Sequence, residues 1–451
     1  MTSHRPTEPG TTPGLQSSPR YRIRGVKSLL YPDPNLTPEN TTTLENVNYS
    51  ELRTFEKRGG YARWNTGQIG SSAGVTGLRQ ATFKGNGLQH IEVAGGKVYC
   101  DDGTTRKEIT GSLTLTDSDE AKCIFAFIDD KIVVTNGTDE TFSWAGDYTT
   151  PTAAVALTGM PWTTCQVLLT HRNMLVAMNT VESATKHPSR IRWCDIDTDT
   201  FSTIDITSWP AKNVYDLYKD GPPIVAAVDN FGMMMIFKQD GLYPCMLAFE
   251  NGIVDLQIAT DFVRRGFHPI SRTGVVSHPQ FTWVLCADGP YVVRSDFSVE
   301  FLGRDIQDMW EGLSQTKLPY AHSWIREKDH QVRTLLYSGS SLVPDRILVW
   351  DWTSGDMWID KPGQTITYAD SFTVDSVEYD FVGTSDGYVM KGDSGTKDVT
   401  NDYTWKVVMA PNDLGYPDRS KMILVVKTIF EEQVTVGSLL MEVMINEGEQ
   451  P

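Results

Sequence analysis

Residues 281–295 read FTWVLCADGPYVVRS: six largely apolar residues, the pair Asp288-Gly289, then a second run rich in aromatic and branched side chains. An Asp-Gly pair accepts the positive φ that a tight hairpin turn demands, so the segment predicts two antiparallel strands folded on each other. Six further segments share the pattern. They are IEVAGGKVYC at 91–100, IFAFIDDKIVVTN at 124–136, QVLLTHRNMLVAMN at 166–179, MMMIFKQDGLYPCML at 233–247, VRTLLYSGSSLVPDRILVWDW at 332–352 and YDFVGTSDGYVMKGD at 379–393. Their turns begin at Gly95, Asp129, Arg172, Asp240, Asp288, Ser338 and Asp386, separated by 34, 43, 68, 48, 50 and 48 residues.

A recurrence near 45 residues is the size of a four-stranded propeller blade, a small sheet that buries both faces only by stacking on its neighbours. We therefore expect an all-β chain: a β-propeller of six to eight blades, with additional β segments from the N- and C-terminal regions. A β-sandwich would show similar strand spacing and remains the alternative fold. The 68-residue gap predicts an insertion near 181–218. Helical periodicity is confined to 304–313, RDIQDMWEGL, where Ile306, Met309, Trp310 and Leu313 share a face.

Outside the repeats the expected organisation is a flexible arm at 1–20, a β segment at 21–66 with a turn at Arg58-Gly59-Gly60, the propeller at 67–400, and a C-terminal β segment at 401–451. Either end could close the ring or form a side domain. The arm is rich in Thr, Ser, Pro and Gly, which cannot bury enough apolar surface to order themselves. Within it and just beyond, Arg20, Arg22 and Arg24 alternate with Tyr21 and Ile23, so a strand there would set the three cations on one face as a partner-docking stripe.

The 451 residues carry a net charge of -17, and residues 1–30, with five basic side chains and one acid, contribute +4, leaving -21 on the remainder. Long-range attraction to phosphate or anionic lipid is thus not expected to drive binding. No apolar run approaches the length of a spanning helix, and the N-terminal stretch lacks the apolar core of a signal peptide. Six cysteines stand singly on strand-like runs without a CxxC pair, which predicts buried free thiols and synthesis in a reducing cytoplasm.

Catalytic motifs fail on context. Gly70-Ser71-Ser72-Ala73-Gly74 matches G-x-S-x-G, but no buried strand precedes it and no helix follows. Ser394 in Gly392-Asp393-Ser394-Gly395 reads as a turn. Asp195, Asp197 and Asp199 begin like a calcium loop, but Thr200 stands where the glycine belongs. The eight histidines form no zinc-binding pair, Trp350-Asp351 lacks the recurrence of a WD repeat, and no phosphate-binding loop occurs. No catalytic residue, metal or cofactor is expected.

Several strings, taken in order, resemble the tail nozzle family of short-tailed bacteriophages, also called packaged-DNA stabilisation or tail tubular proteins. They are NLTPENTTTLENVNYSELRTFEKRGGYARW, SRIRWCDIDTDTFST, GMMMIFKQDGLYPCMLAFENG and VRRGFHPISRTGVVSHPQFTWVLCADGPYVVRSDFSVEFLGRDI, closing with TWKVVMAPNDLGYPDRSKMILVVKTIFEE. The last is similar to that family's terminal segment at Asp413, Leu414, Gly415, Pro417, Arg419 and Lys421. The likeness spans about residues 30–430. It implies a structural virion protein in the tail, assembled as a hexameric ring below the head-to-tail connector, whose subunits carry a peripheral β-propeller and surround the channel for DNA. Such a ring would neighbour tail fibre, spike or needle proteins, and DNA would pass through it without tight binding. The acidic composition suits a wall that must not hold phosphates. The alternative classes are a β-propeller glycan-binding module and a glycosidase, whose chemistry needs converging carboxylates and, for sialic acid, clustered arginines.

Overall fold

The computed structural model describes residues 41–49, 55–65, 67–69, 73–196, 204–219, 221–250 and 253–409. Seven small antiparallel sheets form the seven blades of a β-propeller. Their inner strands are Val75–Phe83, Ile124–Ile128, Thr164–His171, Ile224–Asn230, Val275–His278, His322–Arg326 and Ile366–Val374. Each inner strand lies beside the next, and the seventh returns to the first. The ring is closed.

Each of the seven sequence hairpins falls in a different blade, which is why their number equals the blade count. They do not occupy the same place in each blade. Asp129-Asp130 and Arg172-Asn173 join first and second strands, whereas the other five turns join second and third. This offset accounts for part of the irregular spacing. Asp129, Asp130, Arg172 and Asn173 all hold φ between 47° and 60°, the left-handed conformation of a two-residue hairpin turn.

The insertion is shorter than 181–218. Met174–Glu182, Thr185–Trp193 and Val214–Asp216 are regular strands of blade three, and only 194–213 is extra, carrying the small ladder Asp195–Ile196 with Ile204–Asp205. Arg58-Gly59-Gly60 does not make a hairpin. Phe55–Lys57 pairs with Val47–Tyr49, and Ala62–Arg63 pairs with Val389–Lys391 as the outermost strand of blade seven, so consecutive strands serve different sheets. Strand Thr41–Glu45 adds in parallel to Met357–Asp360 of blade six, and Lys406–Met409 adds antiparallel beyond it. The amphipathic stretch at 304–313 is a short helix, with Ile306, Trp310 and Leu313 buried.

Large rings fill the gaps between blades. Trp350 of blade six stacks on Trp283 of blade five at 5.4 Å between centroids, and Phe281 meets the edge of Trp350 at 5.2 Å. Such aromatic pairs add about 0.5–1.5 kcal/mol each beyond their burial. Trp350-Asp351 is therefore a packing feature. Between blades seven and one, a side chain at Gly383 would meet Val75 Cβ at 2.3 Å, so only glycine permits that approach. All six cysteines are buried and unpaired.

Candidate functional site: the channel mouth

The inner strands of blades two to six begin around one cavity of about 360 Å³ at the end of the central channel. Such mouths are where a propeller brings several loops onto one point. Residues 119–123 lead into blade two but bond mostly to blade six and its approach. Asp119 faces Lys317 at 3.8 Å, Glu120 accepts from the Tyr320 hydroxyl at 2.9 Å, and Lys122 Nζ donates to the Tyr337 hydroxyl at 3.3 Å. The Cys123 carbonyl accepts from Tyr368 of blade seven at 2.9 Å. This strap ties blade two to the far side of the ring.

Arg272, just before blade five, completes the arrangement. Its guanidinium donates to the carbonyls of Gln166 at 3.3 Å, Glu120 at 3.3 Å and Lys122. One side chain thus ties the approaches to blades two, three and five. Burial lowers the Arg272 pKa and brings the Lys122 ammonium down to about 8. Beside them His322 donates through Nε2–H to the Ala369 carbonyl at 2.6 Å and stacks on Tyr368; burial and the Lys122 charge hold it neutral, its pKa near 3.

A second polar cluster lies between blades six and seven. Arg58 grips Asp398 through two hydrogen bonds of 2.9 and 2.6 Å and lies over the Tyr403 ring at 3.8 Å. Asp380 accepts from Arg333 at 2.6 Å, from Trp324 Nε1 at 2.9 Å and from Arg326 at 3.4 Å; Arg326 also binds Asp393 and Asp329. The three arginines are committed to aspartates, and the space among them is about 10 Å³, room for one water. The clustered arginines a sialic-acid site would need are here used in ion pairs. The cluster locks the segment at 58–63 against the blade it completes.

No family model matches the chain, and no curated protein matches it. Among solved structures it is similar to the N-terminal domain of Nup159, at 13% identity over 78% of this chain and 99% of that one, with a TM-score of 0.43. It is also similar to BBS1N in complex with ARL6DN, at 11% identity, 76% and 99% coverage and a TM-score of 0.42. A third is the computationally designed Ika8 protein, at 14% identity, 73% and 99% coverage and a TM-score of 0.39. None of these likenesses bears on what the chain does.

Of the residues singled out in the sequence, Ser394 lies in a turn after Val389–Lys391, its hydroxyl donating to the Gly392 carbonyl at 3.1 Å. Arg20, Arg22, Arg24, Ser72, Asp197, and the segment carrying Asp413, Leu414, Gly415, Pro417, Arg419 and Lys421 lie outside the described residues. Among the described residues no cluster of His, Cys, Asp and Glu is arranged to hold a metal, and no helix is long and apolar enough to cross a membrane. The mouth itself was missed. Its one sequence signal is Lys122, a cation between Ala121 and Cys123 at the head of the apolar run IFAFI.

Proposed function

We propose that this chain is a structural virion protein, one subunit of a hexameric tail nozzle that extends the head-to-tail connector of a short-tailed bacteriophage. In this reading the ring retains packaged DNA and conducts it on ejection, and its neighbours are the connector and the tail fibre, spike or needle proteins. The observation that carries it is the ordered set of strings over residues 30–430, ending at Asp413-Leu414-Gly415. The β-propeller architecture agrees with what that resemblance implies, and the -17 net charge suits a surface that must release phosphates rather than hold them. Electron microscopy of particles containing the chain tests it: a six-fold ring at the tail supports the nozzle, and a chain absent from the particle, or present without six-fold order, overturns it.

A further inference from the structure

Two cations line the mouth cavity, and neither has a carboxylate within ion-pair distance among the described residues. Lys122 is 3% exposed and reaches the Tyr337 hydroxyl; Arg272 has its contacts on backbone carbonyls. The acids at the same mouth are engaged elsewhere, Asp119 towards Lys317 and Glu120 with Tyr320. A buried cation without a counter-ion is costly, and the cavity leaves room for one to enter. The walls are otherwise mixed: Val225 and Ile270 are apolar, while Gln166, Asn179 and Gln239 bring amides.

We propose that the cavity binds a small hydroxylated carboxylate of sugar-acid size, its anionic group drawn to Lys122 and Arg272 and its carbon body set against Val225 and Ile270. Asp119 and Glu120 at the rim oppose a second negative charge, so a carboxylate is favoured over a phosphate dianion. The site is independent of the nozzle reading and stands or falls by itself.

The Lys122 ammonium, lowered by burial to about 8, gives a second handle on the site. Asp119 raises it, while Arg272 and Lys317 lower it further; His322 and Tyr337 face it from blade six, and Tyr320 lines the same cavity. Tyr320 and Tyr337 are pushed upward by burial and His322 lies near 3, so between pH 7 and 9 Lys122 is the member of this group that changes charge.

Calorimetric titration of the full chain with glucuronate, glucose and inorganic phosphate tests the proposal. Glucuronate should bind about tenfold or more tightly than glucose at pH 7, and lose about tenfold between pH 7 and 9. Lys122→Met should remove the preference for glucuronate. Equal binding of glucose, tighter binding of phosphate, or no binding of any probe overturns it. If Lys122→Met does not fold, the wild-type pH series decides: binding that does not change from pH 7 to 9 overturns the assignment.

Discussion

His322 shows how burial converts a common side chain into a pH liability. Folding lowers its pKa from about 6.5 to about 3, so the unfolded chain takes up a proton in that window and the folded chain does not. Its contribution to stability is complete above pH 6.5 and is lost as pH falls towards 3. Denaturant titrations at pH 6.5, 5.5 and 4.5 should show that His322→Gln reduces the pH slope by about one proton, roughly 1.4 kcal/mol per pH unit near the lower end. An unchanged slope would assign the acid sensitivity to other groups, His90 first, since burial lowers it to about 4. Asp360 runs the opposite way. It is fully buried, neither carboxylate oxygen has a hydrogen-bond partner, and burial raises its pKa despite Arg333 and Arg58 nearby. A raised carboxyl stabilises most below its unfolded pKa and loses that contribution as pH rises, so Asp360→Asn should be neutral or stabilising at pH 7, measured by the same titrations. The cysteines give a simpler test. Burial pushes Cys100, Cys123, Cys194 and Cys245 up to about 12, so thiol reagents should find the native protein inert and the denatured protein, without reductant, should release six thiols.

At the level of strands and turns, hairpins were readable because their signal is local. A polar or glycine pair between two apolar runs needs no knowledge of the rest of the chain, and each of the seven marked a real blade. Which strand pair each turn joined was not readable, because a first-to-second turn and a second-to-third turn ask the same of their residues. Arg58-Gly59-Gly60 failed for a related reason. Two short strands flank it, and only contacts some 340 residues away, such as Arg58 with Asp398, decide that they part company. The channel mouth was hidden similarly, since Arg272 sits in an ordinary polar turn, SRTG, and acquires meaning only from the carbonyls of Glu120, Lys122 and Gln166. The lock itself is testable. Asp398→Ala leaves the Arg58 guanidinium buried without its partner and should cost about 3–5 kcal/mol by chemical denaturation. A loss under 1 kcal/mol would mean that the ring closes without it.

For the whole molecule, the charge makes the clearest forecast. At -17 net, the chain should show no measurable duplex binding even at low salt; tight binding with a steep salt dependence would replace the conduit with a clamp. Replacing Ser72, Ser394 and Asp197 together by Ala should leave infectivity of particles containing the chain within a few fold, as expected of motifs whose sequence context does not support catalysis; a large loss with normal assembly would revive an enzyme. The closure by Ala62–Arg63 carries one more consequence, in time rather than in space. The strand that finishes blade seven leaves the ribosome before every other strand of its blade, and its partner Val389–Lys391 follows about 330 residues later. At 5–20 residues per second, that strand waits roughly 15 to 65 s with its sheet unmade, while six blades grow as an open arc. During translation the nascent chain thus carries an unpaired edge that chaperones or a neighbouring nascent copy can reach, and domain-swapped closure between two chains is the error this order of synthesis invites.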